Sequence, residues 1–125
     1  MVVGVCKVAF LLPGNASLKG KRSIVRRIVD RTRAKFNVAV AEVEDMDAHR
    51  RAVIGLAVVS NDARHVNSML DRISSFMSSL TEAVPSERSL EILHVGGEAA
   101  PFVPGYGSDT APDTATDTEW EDDER

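Results

Sequence analysis

Cysteine, aromatic rings and long apolar runs are all scarce in this chain. A single cysteine, Cys6, leaves no internal disulfide to form, which fits a reducing compartment and makes the cytoplasm the default location. Aromatic residues are 5% of the chain, so RNA recognition by stacking bases on exposed rings is disfavoured, and Phe10, Phe36 and Phe76 suit an interior better. The apolar stretch 2–12 is interrupted by Lys7, follows no charged segment and is too short to cross a bilayer, so it reads as a buried strand and no membrane partner is expected. Acids are scarce only locally: residues 17–36, SLKGKRSIVRRIVDRTRAKF, contain Asp30 and no other.

That stretch is the one around which the chain is organised. Leu18, Val25, Ile28, Val29, Thr32 and Phe36 recur at helical spacing and give one stripe to a core. At about 100° per residue, Lys19, Arg22, Arg26 and Arg33 fall on one flank, and Arg27, Arg31 and Lys35 continue round the back. With Lys21, these eight bases form the candidate nucleic-acid-binding set, because Lys and Arg neutralise backbone phosphate whatever the base sequence. A solvated helix face is the plainer reading, but solubility alone would be served by mixed signs.

The formal net charge of −4 hides a division. Residues 97–125 hold nine acids and one base; taking these from the totals of 19 and 15 leaves ten acids and 14 bases on residues 1–96, a net of +4. A basic domain over 1–96 and an acidic tail over 97–125 are therefore expected. The tail has Pro101, Pro104 and Pro112 with Thr, Ala and Asp in loose repetition and too little apolar content for a core, which predicts disorder. Its Trp120, set among Glu119, Glu121, Asp122, Asp123 and Glu124, reads either as an idle end or as charge that competes with phosphate for the basic helix.

The pattern predicts a strand over 2–12 closed by Pro13-Gly14-Asn15, and a helix from Ser17, with Gly20 in place of the Glu or Gln of a capping box and a first turn prone to fray. Strands follow over 38–44 and 52–60 around a polar turn, then a helix capped at Asn61 and patterned by Val66, Met69, Leu70, Ile73, Met77 and Leu80. Pro85 forbids its continuation, and residues 89–95 form the last strand. Strand, helix, strand, strand, helix, strand is the split unit of a ferredoxin-like α+β fold, a four-stranded antiparallel sheet with two helices on one face. Val3, Val5, Ala39, Val53 and Ala57 would line its other, open face, and an exposed apolar face makes a homodimer the alternative to nucleic-acid binding.

Ser17-Leu18-Lys19, Lys21-Arg22, Lys35-Phe36-Asn37-Val38, Ala41-Glu42-Val43 and the run from Gly55 to Asp62 resemble the signature stretches of the YlxP-like family of small bacterial proteins, over roughly residues 2–95. The resemblance implies the ferredoxin-like fold, a cytoplasmic location, and genes commonly placed among those for translation initiation and ribosome maturation. It implies no catalytic residues. Two departures stand out: Gly20 where members commonly carry an acid, and no aromatic near His49 where Trp is typical.

Other chemistries fit less well. Five residues separate Gly14 from Gly20 and Arg22 follows Lys21, so the Walker spacing and its magnesium-binding hydroxyl are missing; a single anion at the helix start flanked by Lys19, Lys21 and Arg22 remains open. Acylphosphatase shares the fold class, but Asn37 and Asn61 read as helix-terminal residues. Asp45, Asp47 and His49 suit a solvated turn, Cys6 and His94 are too few for zinc, and His65 has no evident triad. No cofactor and no small-molecule substrate is indicated. The expectation is a non-enzymatic protein contacting RNA or the small ribosomal subunit.

Overall fold

Residues 2–11 alternate between two environments, and that period of two is what makes them a strand. In the computed structural model, which describes residues 1–96, β1 (Val2–Leu11) turns its even-numbered side chains into the core and its odd-numbered ones away from it. The acidic tail expected over 97–125 lies outside the described residues. The order continues as α1 (Leu18–Lys35), β2 (Ala39–Glu44), β3 (Arg51–Ser60), α2 (Ala63–Ser78) and β4 (Val84–His94). The four strands form one antiparallel sheet in the order β2-β3-β1-β4, so the fold is the ferredoxin-like α+β arrangement.

β1 is central and pairs along its whole length with β3, from Val2 opposite Ser60 to Leu11 opposite Arg51. The core lies between the sheet and the helices: Phe10, Leu12, Ile28, Ile54, Val66, Leu70, Ile73 and Met77 are almost wholly enclosed. Both helices are seated by their apolar stripes, α1 through Val25, Ile28 and Thr32 and α2 through Val66, Met69, Leu70, Ile73 and Met77. Phe36 and Phe76 meet edge to face, ring centroids 5.4 Å apart, at the seam between the helices.

Three local expectations are corrected. Asp62, not Asn61, caps α2, its carboxylate accepting from Arg64 N at 3.0 Å. The last strand begins at Val84, well before Ser89, and Pro85 lies inside it. Proline is tolerated there because β4 is an edge strand and Pro85 sits at the bulge where the register against Ala9 and Phe10 shifts. The first turn of α1 is also held more firmly than its glycine suggests. Ser17 Oγ accepts from Gly20 N at 3.0 Å, and a Cβ on Gly20 would fall 2.4 Å from Asn15 Oδ1. The side chain of Asn15 donates to Ser17 O and to His49 O, so residue 20 must stay bare for the β1–α1 and β2–β3 loops to meet.

Gly4 has a comparable role beneath α2, where an added Cβ would come 2.3 Å from Val66 Cγ1 and 2.9 Å from Leu70 Cδ1. Gly4→Ala is expected to lower the unfolding free energy by about 1–3 kcal/mol by forcing α2 off the sheet. Urea denaturation checks this; an unshifted midpoint would mean that α2 does not rest on residue 4.

Candidate nucleic-acid interface on the first helix

The eight bases of α1 do not share one environment. Lys19, Arg22, Arg26, Arg27, Arg31, Arg33 and Lys35 are exposed, whereas Lys21 retains only 2% of its accessible surface. Lys21 therefore leaves the binding set. On the helix it falls with Val25, Ile28 and Thr32 on the inward stripe, and its ammonium reaches under the β2–β3 loop. Nζ donates to Asp45 O at 2.6 Å, Ala48 O at 2.9 Å and Met46 O at 3.3 Å. Glu42 Oε2 stands 2.9 Å from the same nitrogen. With the three ammonium hydrogens directed at carbonyls, Glu42 acts as the balancing charge and not as a hydrogen-bond acceptor, which is why its oxygen is otherwise unpartnered. The single-anion site left open at the helix start, flanked by Lys19, Lys21 and Arg22, loses its middle member.

The seven exposed bases make no ion pair with an acid among the described residues. Two have local roles. Arg33 donates to Val40 O at 3.2 Å, and Lys35 Nζ lies 5.7 Å from the Phe36 ring centre and 5.3 Å from that of Phe76. Both stand in the last turn, where cations complement the helix dipole. Lys19, Arg22, Arg26, Arg27 and Arg31 have no such partner among the described residues, and they are the core of the candidate interface.

Cations on the open sheet face behave differently. Lys7 pairs with Glu44 at 2.5 Å, and Arg51 pairs with Asp45 at 2.8 Å and approaches Glu87 to 3.6 Å. The hydrogen bond to Asp45 is the main cause of a raised Arg51 pKa. These side chains lie over Ala9 and Val53, which are buried although they point away from the helices. The rest of the face is an open, mostly apolar concavity of about 630 Å³ lined by residues that include Val5, Ala39, Ala41, Val43, Gly55 and Ala57. Val3, Val5, Ala39, Val53 and Ala57 all lie on this face as anticipated, but the paired charges across its upper half were not.

The remaining sequence candidates do not assemble. Cys6 pairs with Leu90 and His94 with Val2, so the two stand four rungs apart on the β1–β4 ladder. No group of three or more His, Cys, Asp or Glu among the described residues could hold a metal ion. Asp45 adopts a left-handed conformation with φ 58°, and its carboxylate binds Arg51. Among the described residues no helix is long and apolar enough to cross a membrane.

The geometry defines a ferredoxin-like domain with a basic helix on one side and an open, mostly apolar sheet face on the other. Residues 3–88 match the family described as "Protein of unknown function (DUF503)", and the chain belongs to that family. A relative is the uncharacterised protein YlxP of Bacillus subtilis (strain 168), 31% identical over 81 residues, which covers 65% of this chain and 88% of the relative. Among solved structures, the designed protein Foldit4 is 13% identical with a TM-score of 0.42, covering 76% of this chain and 98% of its own. SnoaB, a cofactor-independent oxygenase from Streptomyces nogalater, is 12% identical with a TM-score of 0.42, covering 79% and 98%. Overlaps this loose add nothing on chemistry, and the fold stands on its own strand pairing.

The cage around Lys21 separates structural from surface bases experimentally. Lys21→Met removes the ammonium and strands Glu42 and three carbonyls, an expected loss of about 3–5 kcal/mol in unfolding free energy. Arg22→Met, one residue along, should change stability by no more than about 0.5 kcal/mol. Parallel denaturant melts check the contrast, and equal losses would remove the distinction.

Proposed function

We propose that this chain is a non-enzymatic cytoplasmic protein that contacts RNA or the small ribosomal subunit through the outer side of α1, in ribosome maturation or translation. The observation that carries this reading is a contrast. Seven exposed bases on one helix lack acid partners among the described residues, while Lys7 and Arg51 on the open face are paired. Unpaired surface cations gathered along about 27 Å of helix can each meet a phosphate and release a counterion. Among the described residues no aromatic ring is exposed, which favours contact with backbone and shape over base stacking. The gene neighbourhood implied by the family resemblance supports the ribosomal version.

Binding through phosphate predicts a steep salt dependence. If the five freest bases each contact one phosphate of a single strand, log K should fall with log salt at a slope of about −3.5. Arg22→Glu, Arg26→Glu and Arg27→Glu together, at positions with no local role, are expected to abolish co-sedimentation with small ribosomal subunits while leaving the melt unchanged. Undiminished co-sedimentation of the triple variant would remove α1 as the contact.

The open face favours a second reading, a homodimer. Val43, Val59, Leu93 and Leu11 all project from that side and are among the exposed large apolar residues, with Val59 at 62%. Lys7 and Arg51 are already paired within the chain, so a second copy would strand neither base. A concentration-dependent mass in light scattering that Ala57→Arg reduces to the monomer would support this surface; a monomer at all concentrations would dismiss it.

A further inference from the structure

The contrast between α1 and the rest of the surface leaves a question of what neutralises the helix when no phosphate is present. We infer that the acids between Asp117 and Glu124 dock on the basic outer side of α1 and compete there with phosphate. This rests on the reading of α1 as a phosphate-contacting surface and adds its regulation.

Charge complementarity is the first argument. The segment 117–124 carries Asp117, Glu119, Glu121, Asp122, Asp123 and Glu124 without a base, and α1 offers seven exposed bases against Asp30 alone. Elsewhere in the domain the exposed bases without an ion pair among the described residues are Arg50, Arg64 and Arg72, fewer than α1 carries. Lys7 and Arg51 already hold Glu44, Asp45 and Glu87, and Arg88 holds Asp71 at 2.7 Å. The one tryptophan, Trp120, lies inside the acidic run, and an indole is the ring best suited to a guanidinium face.

Topology is the second. β4 ends at His94, opposite Val2, while α1 runs back from the Leu11 end of β1 and finishes at Lys35. The chain therefore leaves the domain at the same end as Arg31, Arg33 and Lys35. β4 and β2 are the two edges of the sheet, so about 14 Å of sheet width must be crossed to reach the helix side over β2. Asp117 is 21 residues beyond Gly96, a length that spans up to about 70 Å when extended. Reach is ample, and a tethered anion meets α1 at an effective concentration on the order of millimolar.

Trp120 allows the docking to be read without any RNA. In the full chain, its emission and anisotropy are expected to change when Arg22→Glu, Arg26→Glu and Arg27→Glu are introduced, and to change in the same direction between about 50 and 200 mM salt. Neutralising the segment by Asp117→Asn, Glu119→Gln, Glu121→Gln, Asp122→Asn, Asp123→Asn and Glu124→Gln should tighten binding of a short mixed-sequence RNA by about tenfold at low salt. A Trp120 signal indifferent to α1 charge reversal overturns the docking, even if RNA binds. A responsive Trp120 in a protein that binds no RNA with or without the neutralised segment overturns the competition and the phosphate reading together. Equal RNA affinities of the two chains, with RNA bound, overturn the regulation alone.

Discussion

Between α1 and the β2–β3 loop, one buried ammonium holds three backbone carbonyls and a carboxylate, and the display of the other bases follows from it. Taking a lysine charge out of water costs several kcal/mol unless its hydrogens and its counter-ion are all supplied. Here they are, by Asp45 O, Met46 O, Ala48 O and Glu42. The carbonyls are available because the hairpin loop turns back on itself, with Ala48 N bonded to Asp45 O and Asp45 left-handed. Asn15 ties the same loop to the start of α1 through His49 O. The helix is thereby fixed in rotation about its axis as well as in position, and the bases on the far side are held toward solvent.

The two outer surfaces of the domain solve different problems. On the open sheet face both bases are paired in place: Lys7 with Glu44, and Arg51 with Asp45 and Glu87. Such exposed pairs add little stability, and with Glu91 also lining the concavity the acids of this face outnumber its bases. α1 is the opposite case, an amphipathic helix whose packing is ordinary and whose charge is one-signed. Fields from unpaired cations add, and a surface of that kind attracts polyanions before any contact forms.

Periodicity in the sequence was enough for the fold. Strand alternation in β1 and β3 and the three-and-four spacing in both helices gave the element order, and that order admits few topologies. Edge-strand behaviour was not legible, because a proline that stops a helix and a proline that sits at a bulge look alike until the partner strand is known. Asn61 and Asp62 are both good caps, and only the backbone distinguishes them. Lys21 was the consequential miss. It lies at the angular position of Ile28 and Thr32, a signal that is passed over when it is counted with the surface bases, since a lysine on an apolar stripe is usually taken to reach out to water. The signal that it does not is Glu42, an acid at a core-facing position of β2 next to Val40, which needs a buried cation.

That pairing also bears on the net charge. Residues 1–96 carry 14 bases and ten acids, and an even scatter of the surplus would produce only a weak field. Six of the acids are instead committed elsewhere: Glu42 to Lys21, Glu44, Asp45 and Glu87 to the open face, Asp71 to Arg88, and Asp62 to the cap of α2. Each commitment is explained by local packing or hydrogen bonding, and together they leave α1 with Asp30 alone among its seven exposed bases. The concentration of positive charge on one helix follows in part from where these six acids are needed for structure, and it survives without any stabilising role for most of the bases themselves. Side chains kept in that state contribute little to folding, so their sign is not set by the packing of the domain.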